Sequence, residues 1–212
     1  KPMLKKFSLI IGIVALLFIS IPFVRYAKMK EIEAIQSEKE QIQNKIPDIE
    51  LDKISNKQML IRDFIVNYSN VSDEILKRYA YQIENCPQYL LETVDEIYII
   101  LHLELTKFNP NCTDTTIASH VHRENFSTIY LTDYGTEDQT VFEHEAIHAY
   151  DAEYGITKQA AFINIYQLEG LDYDERADDI KEYFAYSYVD FLEDNLDKDQ
   201  YPETYAFYTN LN

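Results

Sequence analysis

Two histidines four residues apart flank a glutamate in TVFEHEAIHAYD, the stretch from Thr140 to Asp151 that contains His144, Glu145 and His148. On a helix, positions four apart share a face, so both imidazoles can turn toward one ion about 2 Å from each. Glu145 then stands beside that ion without ligating it, which is where a base that activates water has to be. With 5 histidines in 212 residues, a chance HExxH arises in roughly one such chain in a hundred. A catalytic zinc takes three protein ligands and keeps a position open, so the reading turns on a third ligand. The extended motif does not supply it, because Asp151 and Tyr154 occupy the places of its Gly and third His. A carboxylate on a later helix remains, and DDIKEYFAYSYVDF offers Glu182 in an aromatic, apolar setting. Glu175, Asp178 and Asp179 compete for that role, or all four carboxylates form a solvated acidic face.

Three stretches in order, HEAIHAYDAEYG, KEYFAYSY and YPETYAFYTNL, resemble the catalytic domain of the anthrax toxin lethal factor and Pro-Pro endopeptidase family of zinc metallopeptidases. The resemblance covers roughly the last 80 residues. It implies an endopeptidase with His144, His148 and Glu182 as zinc ligands and Glu145 as general base. The family's tyrosine that stabilises the oxyanion lies seven residues ahead of the third ligand, where this chain has Glu175. Tyr173, nine residues ahead, takes the role if the intervening loop is two residues longer. Tyr186 holds the place, one turn after the ligand, where the family often carries an acid, and Tyr183 and Tyr186 stand next in line as oxyanion donors. Asp151, one turn past His148, is positioned to hydrogen-bond a liganding imidazole and fix its tautomer, or is simply an exposed helix-end aspartate.

The elements that must position these residues read as an α+β, zincin-like metallopeptidase domain over 48–212, with a small sheet, the HExxH helix and a C-terminal helical half. Helices are expected near Leu51 to Tyr68 and Asp73 to Glu84, the second capped by Ser72. EIYIILHLEL (Glu96 to Leu105), TIASHV and STIYLTDYG read as strands. Further helices are expected near Lys158 to Leu168, Glu175 to Leu192 and Pro202 to Leu211. STIYL, just ahead of the active-site helix, is the expected exposed edge, so Ile129 and Tyr130 are expected to bind substrate backbone by strand addition. His120 and His122 alternate along one strand face and read as surface or hydrogen-bonded residues rather than a metal pair. His102, in an apolar run, reads as a core histidine.

Ahead of this domain, the apolar run from Phe7 to Val24 lies between basic flanks and reads as a transmembrane anchor over 1–27, or as a cleaved signal peptide. Residues 28–47 read as a helical stalk, with Ile32, Ile35, Ile42 and Ile46 at heptad spacing and Pro47 ending it. The catalytic domain is then expected outside the cytoplasm, tethered to the membrane or secreted. A net charge of −18 leaves no basic cluster to hold a phosphate backbone, so nucleic acid is not an expected partner. At 46% hydrophobic and 14% aromatic the chain can fill a core, and its 18 tyrosines suit half-buried positions or a cleft. Cys86 and Cys112 match no CxxC motif and leave a disulfide and two free thiols equally open. The expected function is a zinc endopeptidase acting on a protein or peptide. The alternatives are a catalytically impaired, anchored binding module of the same fold and a metal-free stalk protein.

Overall fold

The computed structural model describes residues 49–134 and 139–211. The chain opens with three short strands, β1 (Asp52–Ser55), β2 (Gln58–Ile61) and β3 (Phe64–Tyr68), in an antiparallel meander. Two helices follow, α1 (Asp73–Asn85) and α2 (Gln88–Leu91), and the chain returns as β4 (Glu96–Ile100), parallel to β3. A short helix α3 (Leu105–Phe108) precedes the hairpin of β5 (Ala118–Arg123) and β6 (Phe126–Thr132). Glu124 and Asn125 at the hairpin tip both have positive φ, 50° and 65°, the two-residue geometry whose twist matches the flanking strands. β6 runs parallel to β4, so the sheet order is β1-β2-β3-β4-β6-β5 and β5 is an edge strand.

The helical half consists of α4 (Val141–Tyr154), α5 (Ala160–Ile165), α6 (Ile180–Leu192) and α7 (Pro202–Thr209). α4 packs against β5 and β6 and also against α1, α2 and α6. Phe142, Ala146, Ile147 and Ala149 of α4 are fully buried, as are Ile97, Ile99, Ile129 and Leu131 of the central strands. Each large apolar side chain buried this completely contributes about 1.5–3 kcal/mol. Tyr98 and Tyr130 alternate with those buried residues, and the two rings stack with Phe108 of α3 on the opposite face of the sheet.

This architecture corrects the expected α+β, zincin-like arrangement of a small sheet ahead of a helical half. It is a mixed α/β domain whose described residues form a six-stranded sheet of parallel and antiparallel pairs and seven α-helices, two of them threaded between β3 and β4. The largest error lies in Leu51 to Tyr68, expected as a helix and found as β1, β2 and β3. Met59, Ile61, Val66 and Tyr68 point into the core while Leu60 and Ile65 remain 39% and 53% exposed. Apolar residues on both faces conceal the two-residue period. No described helix is long and apolar enough to cross a membrane. The expected anchor over 1–27 and stalk over 28–47 lie outside the described residues.

Candidate metal centre

α4 brings the two histidines to the cleft because both of its ends are fixed. At its start the N–H of Phe142 donates to the side-chain oxygen of Gln82 on α1, at 2.9 Å, satisfying a first-turn donor that no local residue caps. At its end Gly155 adopts the left-handed conformation, φ 63°, and its N–H donates to the carbonyl of Asp151 at 2.7 Å. α6 is started by Asp179, whose carboxylate accepts from the N–H groups of Lys181 (2.7 Å) and Glu182 (3.0 Å). Below that first turn Tyr183, Phe184, Ala185, Tyr188 and Val189 anchor the helix in the core, leaving Glu182 half-buried and facing α4.

His144 Nε2 and His148 Nε2 are 3.1 Å apart. Glu182 places one carboxylate oxygen 3.3 Å from His144 Nε2 and the other 3.2 Å from His148 Nε2. These donor atoms all lie within 4.8 Å of one another, and the triad can hold a metal ion. Tetrahedral ligands at zinc distances lie about 3.3 Å from each other, so the observed separations suit an ion at their centre. Two nitrogens and a carboxylate converging from two helices also fit the donor preferences of a catalytic zinc.

Glu145 is buried at 8% exposure. Burial raises the pKa of its carboxyl and the charge of Glu182 adds to the shift, while the two imidazoles and a hydrogen bond from the His120 backbone N–H oppose it. Burial opposes charge on His148, yet its hydrogen bond to Glu182 and the charges of Glu145 and Glu182 raise its pKa overall. Glu182 moves the other way. Burial would raise its pKa, but the hydrogen bonds and charges of His144 and His148 hold it well below the usual carboxylate range.

The centre opens into a cleft of about 820 Å³, bounded by α4, by α6, by β5 and by the loop leading into β5. The structure thus brings together His144, Glu145, His148 and Glu182. Asp151 also borders the cleft, at 5% exposure, and its charge contributes to the raised pKa of His148. Its two oxygens, however, accept hydrogen bonds from the Thr157 N–H and hydroxyl, both at 2.7 Å, and tie the end of α4 to the turn that follows. The other expected residues lie elsewhere. Ile129 has no exposed surface, and β6 lies between β4 and β5, so neither Ile129 nor Tyr130 offers a free strand edge. The edge at the cleft is β5, through Ser119, His120 and His122.

The Tyr173 hydroxyl donates to the carboxylate of Asp190, and its ring packs against Tyr183 and Tyr201. Burial and the Asp190 contact push its pKa far above the ordinary tyrosine value. It does not border the cleft, whereas Tyr186 does, with its ring 4.5 Å from the His144 ring and the Arg176 guanidinium 4.5 Å from its own centre. Tyr186 lies four residues after Glu182 on one helix, a spacing that marks a shared face in the sequence. His120 and His122 converge on the Ser127 hydroxyl, at 3.2 and 3.0 Å. Burial, with the charges of His148, His122 and Lys181 adding, pushes the His120 pKa down to about 3 and keeps that ring neutral. Cys86 and Cys112 are both free thiols. A scan against protein-family models finds no match, and a search of curated proteins finds none either.

Proposed function

We propose that this protein is a zinc-dependent endopeptidase. The observation that carries the reading is the convergence of His144, His148 and Glu182 beside a buried Glu145 at the foot of an edge-bounded cleft. The resemblance of three ordered motifs, two of which carry these residues, to the lethal factor and Pro-Pro endopeptidase family also supports it. Zinc held there would supply Lewis acidity, polarising a carbonyl and acidifying water. Glu145 accepts the proton of the attacking water on its carboxylate and passes it to the departing amine. Its place beside His144 and His148, buried and not itself a ligand, suits both halves of that task. Substrate backbone aligns along β5, whose outer edge faces the cleft and takes the place expected for β6.

A second reading, a binding module without turnover, is favoured by one observation. The hydroxyl expected to stabilise the oxyanion, that of Tyr173, is held by Asp190. Incubating the full chain with a peptide library, with and without chelator, separates the two. The peptidase reading expects cleavage that chelator abolishes, that zinc restores and that Glu145→Ala lacks. Zinc retained without cleavage of any peptide would leave the binding module.

A further inference from the structure

Resting on the peptidase reading, we infer that Lys158 and Lys181 form a carboxylate-recognition pair that selects substrates carrying Asp or Glu close to the scissile bond. The chain has 37 acidic residues against 19 Lys and Arg, so two lysines bordering one cleft stand out. Lys53, Lys107 and Arg176 each pair with an acid, at 2.5 Å from Asp73, 3.5 Å from Glu104 and 2.9 Å from Asp174. Arg78 pairs with Glu74 at 2.9 Å. Lys158 and Lys181 have no ion-pair partner among the described residues, and they are the cations that border the cleft.

They reach the cleft from two elements. Lys158 ends the 3₁₀ turn after α4, and Lys181 lies in the first turn of α6 beside Glu182. Both are exposed. The charge of Lys181 also bears on His120 of β5. The cleft's own carboxylates are engaged elsewhere: Glu182 with the two imidazoles, Glu145 buried against the His120 N–H, and Asp151 with Thr157. Neither ammonium group therefore has a carboxylate at ion-pair distance among the described residues. An incoming carboxylate can pair with one of them, a local attraction in a molecule whose net charge would otherwise repel it. Complementarity of this kind sets substrate choice and encounter rate more than raw affinity, and salt weakens it.

The test uses the full chain and peptides blocked at both ends, with Asp, Asn or Lys placed in turn at each position around the cleavage site. The expected result is a preference for Asp over Asn of about two- to fivefold in kcat/KM at low salt, the scale of one exposed charge pair. That preference should shrink in 0.5 M salt, about a fourfold shorter screening length than at 0.03 M. The Lys158→Glu, Lys181→Glu double variant should reverse the preference toward Lys. Binding of the same peptides to Glu145→Ala, followed by fluorescence anisotropy, should show the same order without turnover. A matching series with free C-termini identifies the source. A gain confined to it would assign the pair to a terminal carboxylate and overturn the side-chain assignment. Cleavage with equal rates for Asp, Asn and Lys, or a preference unchanged in the double variant, would overturn the inference and leave the peptidase reading intact. Failure to cleave any peptide would overturn the peptidase reading itself.

Discussion

Among the four carboxylates that compete in the sequence for the third ligand position, Asp179 is removed by its own hydrogen bonds, because its side chain caps the backbone of the turn that presents Glu182. Replacing Glu182 by Gln keeps the side-chain shape and deletes the charge. We expect metal affinity to fall at least ten- to hundred-fold, a loss no smaller than that for outer-shell partners. Asp178→Asn should leave it unchanged, and Asp179→Asn, which preserves a capping oxygen, should cost little. Metal content after dialysis against a weak chelator checks this, and equal losses from all three would disprove the ligand assignment. The tyrosines divide differently from what their spacing suggests. Tyr173→Phe leaves the Asp190 carboxylate short of a donor, so about 1–3 kcal/mol of stability should be lost with turnover little changed. Tyr186→Phe should lower kcat by about 10²-fold at constant metal content if its hydroxyl meets the developing oxyanion. Denaturant melts and rates on the two variants separate these roles, and the opposite pattern would return catalysis to Tyr173.

At the scale of elements, the first turn of α7 is satisfied from a distance. Glu169, in the π-helical turn after α5, accepts from the Glu203 and Thr204 N–H groups, both at 3.0 Å, and from the Thr204 hydroxyl at 2.7 Å. Gly170 follows it, where a Cβ would run into the rings of Tyr166 and Tyr183. Glu169→Ala should cost about 1–2 kcal/mol, the scale of a lost helix cap, and a denaturation midpoint equal to wild type would show that the cap is idle. Such distant partners explain what the sequence conceals. The HExxH helix and the Ser72 cap are legible because their signals are local, and Ser72 does accept from the Ile75 N–H. The Gln82 bond that starts α4 joins residues sixty positions apart and leaves no local trace. Glu96 to Leu105 reads as one strand, yet β4 ends at Ile100, where the Asp133 carboxylate accepts from the His102 N–H and the chain turns. The helix expected from Glu175 begins at Ile180, because Asp174 turns the backbone by accepting from the Arg176 N–H. Which strand of the β5–β6 hairpin lies at the edge depends on β4, a pairing that strand propensity cannot specify.

For the molecule as a whole, an ion held by the triad would be a clamp as well as a site, since His144 and His148 belong to α4 and Glu182 to α6, and each helix carries part of the buried core. A ligand that binds the folded chain alone adds stability as RT ln(1 + [L]/Kd), about 4 kcal/mol at a free concentration a thousand times Kd. In a domain of this size each kcal/mol moves the thermal midpoint by about 2–4 °C. Chelation should therefore lower Tm by roughly 10 °C, and added zinc should restore it. Glu145→Ala deletes no ligand and should keep the whole chelator-dependent shift while abolishing turnover. Glu182→Gln should show a reduced shift because its holo state has lost a donor. Calorimetry on the three proteins decides between a clamp and a bystander: equal midpoints with and without chelator in a wild-type sample that contained zinc would mean that the ion binds without bracing α4 against α6.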